Sequence, residues 1–444
     1  MQAATTTQRR LVILGAAGRD FHDFNVLFRS DPGVRVVAFT ASQIPDISGR
    51  CYPPELAGPR YPDGIPIVAE VDLPELLRKE DIAEVVFAYS DVTHEHVMHL
   101  ASLCIANGAH FWLPGGRPTM LASSCPVIAV TAVRTGSGKS QTTRFITDLL
   151  QQRGLRVAVV RHPMPYGDLA AQAVQRFADL DDLDRHDCTI EEREEYEPHL
   201  VAGSIVYAGV DYERILRQAE AEADVIVWDG GNNDLPFFVP DLHLVVVDPL
   251  RPGDELKYHP GEANLLLADV VLVNKCDAAS LEAIEMVEAN ARKLNPDARI
   301  IRADSPVTLD DPDAVRGRRV VVVEDGPTLT HGSMTFGAGV IGARAGGAAE
   351  LVDPRPFAIG AIAETYVRYP NAAAVIPAMG YGEAQVQDLA ATLDATDCDV
   401  VVSGTPIDLT RVITVNKPII RASYALREQR PGSLAAELDA VLGR

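Results

Sequence analysis

The chain has 444 residues, a formal net charge of −22 and a hydrophobic content of 47%. This length exceeds what one hydrophobic core usually organises, so we expect two or three domains. The acidic charge excludes a nucleic-acid or anionic-membrane partner, because both need a basic surface. The six scattered cysteines form no C-x-x-C pair, and no signal peptide or long apolar run is evident. We therefore expect a cytoplasmic protein with reduced thiols and no zinc site.

Strands and helices alternate through the first part of the chain. This pattern predicts a Rossmann-like N-terminal domain over residues 1–125, with a parallel sheet covered on both faces. The predicted strands lie at 10–18, where the strand ends in a turn, and at 34–40, 66–68, 84–89 and 110–113, and the predicted helices lie at 21–28, 73–80 and 93–107.

The first turn lacks the features of a nicotinamide site. The second strand ends in Phe39 and Thr40, with no acidic residue for a ribose, and the turn at 15–18 lacks the full glycine fingerprint. The turn instead delivers Arg19 and His22 at the carboxyl end of a strand, where open α/β sheets bind ligands. We interpret Arg19 and His22 as candidates for binding an anionic substrate, and a solvated helix start is the alternative.

The strongest signal is a phosphate-binding loop between a strand and a helix. Residues 127–133 form an apolar run, and the sequence TGSGKS follows before a polar helix start. Val133 stands where the usual pattern has glycine, and Arg134 stands where the deviant Walker group has a signature lysine. Lys139 would reach the β- and γ-phosphates, and the Ser140 hydroxyl would bind Mg²⁺. The predicted phosphate-loop residues are Thr135, Gly136, Ser137, Gly138, Lys139, Ser140 and Gln141.

Two further strands end in residues suited to the same nucleotide. The segment 224–228, which is apolar after Asp224, is followed by Asp229, a Walker B carboxylate that would hold Mg²⁺. The strand at 156–160 delivers Arg161 and His162 to a loop near the γ-phosphate. These elements belong to a predicted P-loop NTPase domain over residues 126–328.

A third motif predicts a loop that binds the nucleotide base. Asn274, Lys275 and Asp277 form N-K-x-D after the apolar strand at 269–273, as in proteins that read guanine. The motif establishes a base-binding loop more firmly than it establishes guanine, so ATP and GTP both stay open.

The remaining chain carries weaker signals. Residues 179–197 are strongly acidic, and such a run usually forms a solvated helix face. The alternative is control of Mg²⁺ or of a loop beside the nucleotide. Residues 329–444 predict a smaller C-terminal α/β domain. The predicted fold is therefore α/β, with three parallel-sheet domains.

These motifs together resemble the cyclic 2,3-diphosphoglycerate synthetases, over nearly the whole chain. The resemblance is carried by GRDFHDFN at 18–25, RTGSGKS at 134–140, RHPMPYG at 161–167, TIEEREEYE at 189–197 and WDGGNND at 228–234. The P-loop is shared with many families, whereas the RHPMPYG and TIEEREEYE segments are far more particular.

The resemblance implies an enzyme that uses ATP and Mg²⁺ to close an intramolecular pyrophosphate in 2,3-diphosphoglycerate, releasing ADP and phosphate. Both partners of this reaction are polyanions, so we expect catalysis by Lys139, Arg134, Asp229, Arg161 and His162. Arg19, His22, Arg161 and His162 would bind the polyanionic substrate. The deviant Walker pattern also implies a homodimer in which Arg134 reaches the nucleotide of the partner subunit. The alternative function is a regulatory or metallochaperone-type GTPase switch, which the N-K-x-D motif favours.

Overall fold

A computed structural model describes residues 8–42, 47, 49–162, 167–326, 335–370, 374–378 and 383–443. Three mainly parallel sheets with helices packed against them form the fold. This architecture confirms the predicted α/β class. Among the helices in these ranges, none is both long and apolar enough to cross a membrane.

The N-terminal sheet has six strands in the order β3-β4-β2-β1-β5-β7, and only β3 runs antiparallel to its neighbour. Leu11 and Leu14 of β1 are fully buried, as expected for a central strand covered on both faces. The strands of this sheet are β1 (Arg9–Leu14), β2 (Val34–Ala41), β3 (Cys51–Tyr52), β4 (Ile65–Ala69), β5 (Glu84–Phe87) and β7 (His110–Trp112), and β6 (Val92–Thr93) lies outside it. The helices are α1 (Arg19–Asp23), a π-helical turn (Phe24–Phe28), α2 (Pro54–Ala57), α3 (Leu73–Lys79), α4 (His94–Ala106) and α5 (Gly116–Thr119).

The central sheet has nine strands in the order β10-β11-β9-β12-β8-β13-β15-β16-β23, of which β23 is Arg427–Glu428 near the end of the chain, and it is parallel except at its two edges. All six residues of β8, its central strand, are buried. The other strands of this sheet are β8 (Val127–Ala132), β9 (Val157–Arg161), β10 (Gln175–Phe177), β11 (Ile205–Ala208), β12 (Val225–Trp228), β13 (Leu242–Val247), β15 (Val270–Val273) and β16 (Arg299–Asp304), and β14 (Tyr258–His259) lies outside it. The helices are α6 (Lys139–Gln152), α7 (Asp181–Arg185), α8 (Ile190–Val201), α9 (Tyr212–Glu222), α10 (Gly261–Leu267) and α11 (Leu281–Leu294).

The third sheet has the order β17-β22-β21-β18-β19, and β20 also pairs with β18. Its strands are β17 (Val307–Leu309), β18 (Arg319–Asp325), β19 (Glu350–Leu351), β20 (Ile376–Ala378), β21 (Val400–Ser403) and β22 (Ile419–Tyr424). Its helices are α12 (Ala338–Ala345), α13 (Gly360–Arg368) and α14 (Glu383–Ala395). The chain then returns to the central sheet through β23 (Arg427–Glu428) and α15 (Ser433–Leu442).

The boundary between the second and third domains differs from the one predicted at 328. β17 and β18 lie before that boundary, yet both pair within the third sheet. In addition, Leu434 and Leu438 of α15 pack into the core of the central sheet. The sequence signals did not reveal this, because an apolar strand shows its burial but not the sheet to which it belongs.

The three sheets pack closely against one another. Leu169, Ala173 and Val210 of the central domain belong to the hydrophobic core of the N-terminal domain, and β6 pairs with β14. Ile190 of α8 packs into the core of the third sheet. This packing gathers loops from all three sheets around one cleft.

Candidate functional site

A cleft of about 1080 Å³ is lined by residues from all three domains. Gly18 follows β1, Asp91 follows β5, and the loop that contains Gly136 follows β8. Asp325 ends β18 in the third sheet. Ligands bind at the carboxyl ends of strands in open α/β sheets, so this cleft is the candidate functional site.

The loop at 134–140 has the geometry of a phosphate cradle. Gly136 and Gly138 adopt φ values of 81° and 108°, a conformation that favours glycine. Gly138 caps α6 without a side-chain hydrogen bond, so the amides of the first turn are available to an anion. A Cβ atom on Gly138 would lie 2.0 Å from Nδ2 of Asn274. The predicted phosphate-loop residues that line the cleft are Thr135, Gly136, Gly138, Lys139, Ser140 and Gln141. Ser137 is fully buried beneath them.

Lys139 and Asp229 form an ion pair beneath this loop. Nζ of Lys139 lies 2.5 Å from Oδ1 of Asp229, which is fully buried and also pairs with Arg161 and His199. Burial opposes the charge on Asp229, but Arg161 and Lys139 hold the pKa of its carboxyl well below the usual range. Burial also lowers the pKa of Lys139 to about 8, although Asp229 opposes this shift. The structure therefore brings together the lysine and carboxylate that the sequence assigned to the phosphates and Mg²⁺.

Arg161 and His162 lie where the N-terminal domain meets the nucleotide loop. Arg161 ends β9 and pairs with Glu195 as well as Asp229. Nε2 of His162 lies 3.1 Å from Oδ2 of Asp234. Burial, with Lys139 and Arg161 nearby, holds the pKa of His162 well below its usual value. His162 is therefore neutral near pH 7. The rest of the RHPMPYG segment, residues 163–166, lies outside the described residues.

Two of the N-K-x-D residues, Asn274 and Lys275, contact the phosphate loop, whereas Asp277 is exposed. Nδ2 of Asn274 donates to the carbonyl of Ser137 at 3.0 Å, and Nζ of Lys275 donates to the carbonyl of Gly136 at 2.5 Å. Asp277 is exposed, and its Oδ1 accepts from the amide of Ser305 at 2.9 Å. The sequence analysis missed Ser305, which directly follows β16. Its position at the end of a parallel strand was the signal that could have identified it.

Arg134 is engaged within its own chain. Its Nε lies 2.9 Å from Asp91 of the N-terminal domain, and one terminal nitrogen lies 2.9 Å from Asp254. The guanidinium group also lies 3.6 Å from the centre of the Tyr258 ring, and Arg134 is only 4% exposed. Asp91 and Asp254 thus hold Arg134 between two domains of its own chain, at the edge of the cleft. The homodimer, and the reach of Arg134 to the nucleotide of a partner subunit, stay predictions.

The two candidates in α1 have different positions. Arg19 lines the cleft and donates to Oγ1 of Thr119 at 2.9 Å. His22 is 1% exposed, its Nε2 lies 2.7 Å from the carbonyl of Thr119, and its ring stacks on Phe237 at 4.1 Å. Burial, followed by the charge of Arg19, lowers the pKa of His22 to about 3. His22 is therefore covered by α5 and Phe237 where the two domains pack together, and its role in binding substrate stays a prediction.

The prediction of a solvated helix face holds for most of α7, whose residues are largely exposed, and fails for α8, whose residues are largely buried. Helix α8 starts with a capping box between Thr189 and Glu192. Glu191 and Glu194 are each 5% exposed, and Tyr196 is almost fully buried. The prediction failed because α8 packs between the central and third domains, and the sequence does not reveal that contact. It also missed the carboxylates that line the cleft there, namely Glu191, Glu195, Glu324 and Asp325.

Comparison with known proteins identifies the family. No protein-family model matches the chain. The chain is 59% identical over 425 residues to the arginine synthetase ArcE of Thermococcus kodakarensis, covering 96% of this chain and 95% of that relative. The chain belongs to the arginine synthetase ArcE family. A cyclic 2,3-diphosphoglycerate synthetase of Thermococcus sibiricus is 26% identical over 107 residues, 24% of each chain. The resemblance inferred from the motifs therefore holds at the level of a related family.

Among solved structures, the chain is similar to LpxK from Aquifex aeolicus, which was crystallised in complex with ATP. The similarity covers 78% of this chain and 95% of LpxK, with a TM-score of 0.43 and 12% identity.

Proposed function

We propose that the chain is a synthetase that forms arginine, with MgATP as the phosphoryl donor and GTP as the alternative donor. The observation that carries this proposal is one cleft that joins the phosphate loop to a group of carboxylates from α8 and β18. A polyanionic acceptor would be repelled by those carboxylates, whereas the α-ammonium group of an amino acid and a free ammonium ion would be attracted. The likeness to arginine synthetase ArcE over 96% of the chain supports the same substrate class.

The residues at the phosphate loop fit a magnesium nucleotide. Ser140 and Asp229 are the two side chains that would hold Mg²⁺, which neutralises phosphate charge. Within the described ranges, no group of three or more His, Cys, Asp or Glu side chains could hold a metal ion. A cation bound jointly by Ser140, Asp229 and the nucleotide phosphates is consistent with that finding.

The proposed acceptor is citrulline, the ureido analogue of arginine, in which an oxygen atom stands where arginine has a nitrogen. The ureido oxygen attacks the γ-phosphorus, the bond to the bridging oxygen breaks, and ADP leaves. Ammonia then adds to the activated carbon, which expels the former ureido oxygen within inorganic phosphate. The product is the guanidinium group of arginine. Lys139 and Arg161 would stabilise the negative charge that shifts during phosphoryl transfer.

The test uses the full chain with MgATP, citrulline and ammonium, and quantifies arginine, ADP and phosphate. We expect the three products in equal amounts. Parallel reactions contain 2,3-diphosphoglycerate, followed by phosphorus NMR, or GTP without any acceptor. A cyclic diphosphoglycerate would support the reaction implied by the motifs, and slow hydrolysis of GTP alone would support a GTPase switch. Either result without arginine would overturn the proposal.

Lys139→Ala is the variant that should lose arginine formation. Because Lys139 neutralises the transferring phosphoryl group, we expect arginine formation to fall by at least about a hundredfold. Lys293→Ala, at an exposed position of α11, is the control and should retain activity. Activity of Lys139→Ala within tenfold of the wild type would contradict the assigned phosphate loop.

A further inference from the structure

Helix α8 places a buried histidine against the carboxylate at the nucleotide site. His199 is 1% exposed, and its Nε2 lies 3.4 Å from Oδ2 of Asp229, which is itself fully buried. Within the described part of the chain, Nδ1 of His199 has no hydrogen-bond partner. The polar contact that the structure shows for this ring is therefore the hydrogen bond with Asp229.

Packing alone does not account for a histidine at this position. An apolar side chain of similar volume would fill the space without the cost of removing two ring nitrogens from water. Because a carboxylate only accepts hydrogen bonds, Nε2 of His199 carries a proton and donates to Asp229. The contact with Asp229 thus explains why a donor stands here.

The two oxygens of Asp229 have different partners. Oδ1 is paired with Lys139 at 2.5 Å, whereas Oδ2 is paired with Arg161 and His199. Lys139 belongs to the phosphate loop and is the side chain that would contact the nucleotide phosphates. Oδ1 therefore shares its partner with the nucleotide, whereas Oδ2 is held by residues of β9 and α8.

Helix α8 is anchored away from the nucleotide site. Ile190 packs into the core of the third sheet, and Glu197 pairs with Arg411 at 3.3 Å. Glu195 lies four residues before His199, so the two side chains share one face of the helix. Glu195 pairs with Arg161, just as His199 contacts Asp229. One face of α8 thus supports both residues that flank Lys139.

We propose that His199 is a positioning residue for Asp229. Its Nε2–H holds Oδ2 and thereby fixes the carboxylate so that Oδ1 serves the Mg²⁺ that accompanies the nucleotide. His199 would act through Asp229. The inference rests on the proposed function for the binding of a magnesium nucleotide, but not for the identity of the acceptor.

The test measures ATP binding to the full chain by isothermal titration calorimetry, once with excess Mg²⁺ and once with EDTA. His199→Leu removes the donor and keeps a side chain of similar volume, whereas His199→Gln retains an amide N–H at similar reach. His243→Leu is the matched control. His243 is a buried histidine of β13 that is 2% exposed, but its Nε2 contacts Oγ1 of Thr131 at 2.9 Å.

We expect His199→Leu to weaken ATP binding with Mg²⁺ by at least tenfold and to leave binding in EDTA within threefold of the wild type. His199→Gln should recover the affinity with Mg²⁺ to within threefold. His243→Leu should keep the wild-type ratio of the two affinities, even if its melting temperature falls. If His199→Leu fails to fold, as judged by thermal unfolding, His199→Asn takes its place, because the shorter amide does not reach Asp229.

The inference and the proposed function can fail separately. An equal loss of affinity with and without Mg²⁺, or no loss at all, would overturn the inference, because His199 would then have only a structural role. Wild-type binding that does not respond to Mg²⁺ would overturn both the inference and MgATP as the donor. Mg²⁺-dependent binding that needs His199, in a protein that forms no arginine, would support the inference and reject the proposed reaction.

Discussion

Asp277 is the exposed carboxylate that the N-K-x-D motif assigns to the nucleotide base. The amide of Ser305 holds one of its oxygens, and Asn274 and Lys275 tie the same loop to the carbonyls of the phosphate loop. These contacts fix the position of Asp277 relative to the phosphate loop. It is therefore a suitable residue for deciding between adenine and guanine.

We expect Asp277→Asn to change ATP-driven turnover only slightly, because adenine lacks the N1–H and 2-amino donors of guanine, from which a carboxylate would accept hydrogen bonds. The measurement is steady-state turnover with ATP, GTP and xanthosine triphosphate. If guanine is the natural base, turnover with GTP falls by more than about a hundredfold and xanthosine triphosphate becomes the better donor. That outcome would contradict ATP as the donor.

The buried carboxyl of Glu324 makes the free energy of unfolding depend on pH. This carboxyl accepts hydrogen bonds from the amides of Gly337, Gly339 and Val340, and burial raises its pKa from 4.5 to about 7. The folded protein therefore binds this proton more tightly than the unfolded chain. The stabilisation is fully present below pH 4.5 and is lost as the pH rises through 7.

Glu324→Gln removes this titration, so the two proteins should respond differently to pH. We expect the free energy of unfolding of the wild type, relative to Glu324→Gln, to fall by about 3 kcal/mol between pH 4.5 and 8. Urea unfolding across this range provides the measurement. A difference that stays constant with pH would show that Glu324 does not titrate as described.

At the scale of elements, the turn after β1 contacts the loop after β9. A Cβ atom on Gly18 would lie 2.1 Å from Nδ1 of His162, closer than such atoms can approach. Gly18→Ala should therefore separate the N-terminal domain from the nucleotide loop. We expect KM for the acceptor to rise about tenfold while ATP affinity changes little, because Gly18 lies in the N-terminal domain and the phosphate loop lies in the central one.

Steady-state kinetics and ATP titration of Gly18→Ala test this contact. Gly33→Ala is the control, since Gly33 lies in a turn of the same domain and a Cβ there would meet only the side chain of Asp31, at 3.2 Å. Unchanged kinetics in Gly18→Ala would show that this contact does not couple the domains.

Features that depend on local sequence could be predicted, whereas features that depend on contacts between domains could not. The phosphate loop, Asp229 and the loop from Asn274 to Asp277 could be predicted, because each depends on a strand, a turn and a few adjacent residues. His22, Arg134 and the acidic helix α8 could not, because their surroundings are set by packing between domains. The misplaced boundary at 328 has the same cause, since β18 joins its sheet through strands that follow much later in the chain.

At the scale of the whole molecule, three α/β sheets contribute to one cleft. The central sheet supplies the phosphate loop and the base loop, and the N-terminal sheet supplies Gly18, Arg19 and Asp91. The third sheet contributes Glu324 and Asp325, so the cleft carries cations near the phosphates and carboxylates elsewhere. This separation of charge would suit a reaction that brings together an anionic nucleotide, an amino acid with its α-ammonium group and an ammonium ion. It would also allow a chain with a net charge of −22 to bind a nucleotide, because Lys139 and Arg161 lie at the phosphate loop.

In the proposed reaction, the γ-phosphoryl group of MgATP is transferred directly to the ureido oxygen of citrulline. The most direct test supplies citrulline with a heavy oxygen isotope in the ureido group, together with MgATP and ammonium. Mass spectrometry then follows the isotope in inorganic phosphate. We predict one labelled oxygen in phosphate for each arginine formed. Arginine formed together with unlabelled phosphate would contradict phosphoryl transfer to the acceptor.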